Sequence, residues 1–214
     1  MPTLDSLLYT FCHHRPDRLL QALGGSSLLC ARCSGIYMGF ALGFVALFFA
    51  FRRRSGDVSA RGLWLPVLLC LLLPMEVAGE RFLGLDPGNY GRFLSGLCLG
   101  SGFSAIIVTF WGAFFPEANG GFPIRTDMKT LAASTAFAVV GGLLAVVLLY
   151  VPLAFNVLVM LSLAGAYVIV NALLARGLFG VRSVLLCFAL GSVLTILEWT
   201  GLFFLNNTVL AKRF

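Results

Sequence analysis

The chain has 214 residues, of which 59% are hydrophobic and 11% charged, and its mean hydropathy is +0.96. A water-soluble domain carries about 25% charged residues, so the composition excludes an ordinary soluble globule and points to a bilayer. The net charge of +6 does not imply a nucleic-acid partner. The basic residues fall between apolar runs, where they set topology and meet lipid headgroups, and no basic–aromatic patch accompanies them.

Backbone polar groups in hydrocarbon must be satisfied inside helices or a closed barrel. The apolar runs here are long and do not alternate, which predicts helices. Residues 1–34 hold two histidines and three of the six cysteines. Their mixed character predicts interfacial helices or turns, broken at Gly24-Gly25-Ser26-Ser27. Leu4 to Phe11 is too short for a cleavable signal, so insertion through the chain's own helices is expected.

The first span is predicted over Gly35–Phe51. A crossing takes about 20 residues, which favours an earlier start, toward Leu28. Arg52-Arg53-Arg54 ends it. The second runs over Leu63–Phe82, with Pro66 and Pro74 inside it. The third covers Phe93–Phe115 and stops at Pro116. A polar loop with Asn119-Gly120-Gly121 and Pro123 follows. The fourth covers Leu131–Tyr150, and Pro152 divides it from the fifth, Leu153–Ala175. Arg176-Gly177 is expected to break the chain before the sixth, Val181–Leu205. The predicted fold is an all-α, polytopic transmembrane bundle of about six spans. Its parts are an N-terminal Cys/His segment (1–34), a first three-helix unit (35–115), a loop (116–130) and a last three-helix unit (131–214). The arginine cluster abutting the first span favours an inside loop there and an outside N-terminus.

Gly35, Gly39 and Gly43 line one face of the first span, and Gly96 and Gly100 one face of the third. Small residues so spaced let helix backbones approach closely in lipid. Packing within the chain is the favoured reading over a homodimer contact, and a membrane-complex partner stays open.

The chemistry concentrates in Cys12-His13-His14 and Cys30-Ala31-Arg32-Cys33. Cys70, Cys98 and Cys187 sit singly in apolar runs, as small hydrophobes do. Three thiolates and an imidazole suit a tetrahedral metal ion, zinc first, with iron or haem less favoured. Arg15, Arg18 and Arg32 are available to offset thiolate charge. Alternatively, Cys30 and Cys33 form a redox pair near a helix N-terminus, where the dipole favours thiolate. A chance cluster without a shared role is the bland third reading. Ser34 follows the C-x-x-C pair, which excludes c-type haem attachment.

The pattern Cys12-His13 with Arg18, then Cys30-Ala31-Arg32-Cys33-Ser34-Gly35-Ile36-Tyr37-Met38-Gly39, resembles a family of predicted bacterial membrane proteins of unknown function. Pro74 with Glu76, and Asn89-Tyr90-Gly91-Arg92-Phe93-Leu94-Ser95-Gly96, extend the resemblance over roughly residues 10–110, although the family usually has Asp where Glu76 stands. The resemblance implies a bacterial inner-membrane location. It singles out Cys12, His13, Cys30 and Cys33 as a metal set, with His14 as the alternate ligand.

Carboxylates in hydrocarbon are costly, by roughly 2.5–3.5 kcal/mol on insertion scales. Glu76 and Glu80 share a helix face near Arg81, Asp86, Asn89 and Arg92. They are read either as ion pairs holding spans two and three together or, with Arg92, as a proton or substrate site. Glu198, deep in the sixth span, is a candidate acid for proton-coupled transport, which would make the chain a small transporter or membrane-complex subunit. It is equally a quinone-facing acid, a carboxylate ligand, or a partner of Arg92 or Arg176. Asn156 and Asn171 are expected to line the same interior. No P-loop, G-x-S-x-G elbow or H-E-x-x-H pair is present, so an enzymatic role is open.

Overall fold

The computed structural model describes residues 12, 16–22, 25–51, 64–114 and 128–210. Among them are six α-helices: α1 (Ala31–Phe51), α2 (Trp64–Leu83), α3 (Gly88–Phe114), α4 (Met128–Val146), α5 (Pro152–Phe179) and α6 (Val184–Leu210). At about 1.5 Å per residue, α1, with 21 residues, rises about 31 Å, enough to cross a hydrocarbon core. Four helices are long and apolar enough to cross a membrane: α1, α3, α5 and α6. The other two fall short for different reasons. α2 carries Glu76, Glu80 and Arg81 in its last turns, and the apolar part of α4 is only Ala132–Val146.

The described part of residues 1–34 differs from the expected helices and turns. Pro16–Arg18 forms a 3-10 turn, and β1 (Leu19–Ala22) pairs antiparallel with β2 (Gly25–Cys30). The hairpin leads directly into α1, which starts at Ala31, four residues before Gly35. Ser27 and Leu29 are buried while Leu28 and Cys30 are half-buried, the period-two pattern of a strand on a core. Gly25, the first residue of β2, has φ at 144°, a value side chains rarely adopt.

Two asparagines cover the hairpin's edges, where unpaired backbone groups would otherwise be exposed. The Asn156 side chain, from α5, accepts from the Leu28 N–H at 2.8 Å and donates to the Ser26 carbonyl at 3.3 Å. Asn89, in the first turn of α3, donates to the Asp17 and Leu19 carbonyls at 3.1 and 2.9 Å. The hairpin therefore seals one mouth of the bundle, where α1, α3 and α5 begin and α2 ends.

The glycine rows serve packing within the chain. A Cβ on Gly35 or Gly39 would run into the backbone oxygen of Phe93 or Leu97, and one on Gly96 or Gly100 into that of Arg32 or Ile36. α1 and α3 thus touch backbone to backbone. Gly100→Leu is expected to force them apart and lower stability by about 3 kcal/mol or more, read as the unfolding midpoint in detergent. A midpoint at the wild-type value would show that the helices part without cost.

Pro152 stands at the N-terminus of α5, as its fixed φ allows. The predicted break at Arg176-Gly177 does not occur. α5 continues to Phe179 and ends at Gly180, whose left-handed φ of 64° caps it. The Gly180 N–H donates to the Arg176 carbonyl at 3.0 Å, a C-cap arrangement. Arg176 itself turns back to the Val181 carbonyl at 2.7 Å. α6 packs on α5 through Gly191, and its outer face is apolar and exposed at Leu185, Ile196 and Leu197, which suits lipid.

Candidate functional site

Cys30 is the last residue of β2 and Cys33 lies in the first turn of α1, so the strand-to-helix junction sets two sulfurs side by side. Cys12 comes from the segment before the hairpin and is almost fully buried, at 3% exposure. The three sulfurs lie within 4.8 Å of one another, and the Cys30 N–H points to the Cys12 sulfur at 3.2 Å. Behind them, Ser27 and Ser34 both donate to the Leu29 carbonyl, at 2.7 and 3.2 Å, which fixes the junction. His13 and His14 lie outside the described residues. All six cysteines are free thiols. Cys187 is buried in the apolar core and Cys70 faces the Leu99 carbonyl, so neither joins the cluster.

Zinc–sulfur bonds of about 2.3 Å in a tetrahedron place sulfurs about 3.8 Å apart. A triangle with sides of at most 4.8 Å needs a contraction of about 1 Å or less to reach that geometry. The Cys12 sulfur beside it holds the Cys30 thiol above its usual range. Burial adds to this, and Cys33 works partly against it. Neighbouring thiols keep their protons because thiolates this close repel. A divalent cation reverses that balance and releases the protons.

Arg18 and Arg32 serve carboxylates, not the sulfurs, and Arg15 lies outside the described residues. Arg32, between the two cysteines, reaches Glu76 on α2 at 2.6 and 3.3 Å and also bonds Glu80. Glu80 further accepts from Arg18 and Arg92, each at 3.0 Å. Ser95 donates to Glu76, and Arg92 donates to the Asn89 amide oxygen at 3.0 Å. The expected Glu80–Arg92 pairing is present, with Arg32 as its larger partner. α1, α2, α3 and the Arg18 turn are thereby tied together beneath the hairpin. Glu76, Glu80 and Arg92 are thus neutralised in a frame beside the thiols, and Asn89, Arg92, Ser95 and Gly96 lie along the side of α3 that meets α1, α2 and the hairpin.

Glu198 meets neither Arg92 nor Arg176 among the described residues. It accepts from Asn171 at 2.9 Å, and Asn171 also donates to Thr195 at 3.1 Å. Asn171 therefore serves the α5–α6 seam while Asn156 serves the hairpin, so the two do not line one interior. Interhelical hydrogen bonds in membranes average about 0.6 kcal/mol. Glu198→Gln keeps an acceptor for Asn171 and should shift stability by less than about 1 kcal/mol, measured by unfolding in detergent. A larger loss would mean that its charge carries structural weight.

One turn along α1 from Cys33, Tyr37 lines a cleft of about 270 Å³ with Phe40, Phe103 and Tyr167. The Tyr37 and Tyr167 hydroxyls interact across it, and Glu198 is close enough to act electrostatically on Tyr167. Neither tyrosine is marked by local sequence, since the cleft is assembled from α1, α3 and α5.

Fold and site together define a polytopic helical membrane protein with a three-thiol cluster at the head of its first membrane helix. Residues 12–106 match the family model described as "Predicted membrane protein (DUF2085)", and the chain belongs to that family. An uncharacterized protein of Methanocaldococcus jannaschii is 33% identical over 91 residues, 42% of this chain and 56% of its own length. An uncharacterized protein of Methanothermobacter thermautotrophicus is 31% identical over 99 residues, 44% of this chain and 82% of its own length. Both relatives are archaeal. The chain thus spans little more than half of the first relative. No solved structure matches. The family match ends within α3, so α4, α5 and α6 lie beyond it.

Proposed function

We propose that Cys12, Cys30 and Cys33 bind a metal ion, zinc foremost, with His13 as fourth ligand and His14 as the alternate. The observation that carries this is the mutual approach of three sulfurs, since a redox pair needs only two. The Cys30 N–H directed at the Cys12 sulfur adds the hydrogen bond that stabilises a thiolate. The ion would tie the N-terminal segment to α1 above the arginine–glutamate frame, in a multi-pass protein of the cytoplasmic membrane with its N-terminus outside. Zinc supplies a fixed positive charge and Lewis acidity there. The chain's own residues orient the sulfurs and bury Cys12, while Cys30 and Cys33 stay half-buried. Element-specific analysis of detergent-purified protein should find about one zinc per chain. A metal-free preparation that stays folded and cycles a Cys30–Cys33 disulfide would overturn the proposal.

That outcome belongs to a second reading, a membrane thiol-disulfide or quinone-linked oxidoreductase. Its support is the aromatic cleft beside Cys33, with two phenols in its wall and walls apolar enough for a lipid-borne ring.

A further inference from the structure

The ionic frame leaves a remainder. Three guanidiniums, Arg18, Arg32 and Arg92, share two largely buried carboxylates, Glu76 and Glu80. Arg92 also pairs with Asp86 at 3.0 Å and the Arg18 Nε lies 4.0 Å from Asp17, but those carboxylates are 71% and 58% exposed, so water screens them. A cavity of about 310 Å³ opens beside this frame, lined by Arg18, Arg32, Val77, Glu80 and Arg81. The Arg18 Nε–H is buried without a hydrogen-bond acceptor, its nearest carboxylate oxygen on Asp17 standing 4.0 Å away. Arg81 is exposed and meets no carboxylate among the described residues. Glu80, the one anion in the wall, already accepts from three arginines and is spoken for.

The cavity wall therefore holds three arginines against one carboxylate, with Arg81 left to offer its charge and N–H donors. Next to Arg81, Phe82 and Leu83 are 82% and 73% exposed, an apolar flank at the end of a membrane helix. Arginines at such a level bind phosphate through paired N–H groups, and basic pockets between membrane helices take lipid headgroups.

We infer that the cavity between the Arg18 turn and the end of α2 binds an anionic phosphate group, bridging Arg18 and Arg81. The phosphate comes from a phospholipid headgroup whose chains lie along Phe82 and Leu83, or from free phosphate in the aqueous layer.

The test uses the full chain in neutral detergent, carrying whatever metal it retains. Binding of phosphatidylglycerol, phosphatidylcholine and inorganic phosphate is measured by native mass spectrometry and by the shift in unfolding midpoint. Phosphatidylglycerol is expected to bind more tightly than phosphatidylcholine. Arg81→Ala is expected to weaken it about fivefold, as for one arginine near a charged headgroup, with metal content unchanged. Arg18→Gln should weaken it likewise. Inorganic phosphate that competes with the lipid identifies free phosphate as a ligand, and failure to compete identifies the headgroup. Equal binding of the two lipids, or undiminished binding by Arg81→Ala, overturns the inference.

Discussion

Replacing Cys30 with serine is expected to abolish zinc retention and to loosen the whole N-terminal mouth. Cys30 provides one sulfur and the N–H that braces the Cys12 sulfur, so the backbone donor survives the substitution while the ligand does not. Metal that binds only the folded state at a thousandfold excess over its dissociation constant stabilises by about 4 kcal/mol. For a chain of this size that corresponds to a fall of about 10 °C in unfolding temperature. The sign is the same for Cys12→Ser and Cys33→Ser, because each removes one corner of the same triangle. By contrast, Cys70→Ser and Cys98→Ser should leave metal content untouched. The measurement is zinc per chain together with the unfolding midpoint, with and without chelator. A Cys30→Ser protein that still holds a full equivalent of zinc would defeat the assignment.

The second large effect is expected at Arg32. Its guanidinium bonds both Glu76 and Glu80, and its side chain is only 15% exposed. Arg32→Ala leaves two carboxylates facing each other four residues apart on α2, with Glu76 keeping, among the described residues, only Ser95 as a partner. Removing one side of a buried ion pair costs about 3–5 kcal/mol. The partial exposure places this case near the lower end, about 3 kcal/mol. Arg32→Lys should recover little of it, because an ammonium cannot bond two carboxylates through a planar fork. Urea unfolding in detergent reads both variants. Full stability in Arg32→Lys would show that charge alone suffices.

The sequence and the structure diverge at identifiable points. Helix positions were legible because apolar runs are continuous and ended by arginines and prolines, and Pro152 marks its boundary to the residue, although α2 and α4 fall short of the spans predicted for them. The end of α5 was misread at Arg176-Gly177 because a glycine ends a helix only where its φ turns positive, and that happens at Gly180. The hairpin was missed because β1 and β2 are short and mixed, and their edges are completed by Asn89 and Asn156 from distant helices. The same asparagine type on α5, Asn171, serves a different seam, a distinction that depends on helix phase.

By itself the amino-acid sequence determined that this protein lives in a bilayer, that its helices pack through glycine rows, and that its thiol chemistry gathers at the head of the first span. These properties are local, fixed by hydropathy, side-chain size and spacing along one helix. Only the tertiary structure decided that the third sulfur closes on the other two, that Arg18 and Arg32 serve carboxylates and not sulfurs, and that Glu198 rests on Asn171. The sulfurs depend on how the segment before the hairpin folds onto the head of α1, the ion pairs on which faces of α1, α2 and α3 meet, and Glu198 on how α6 packs on α5.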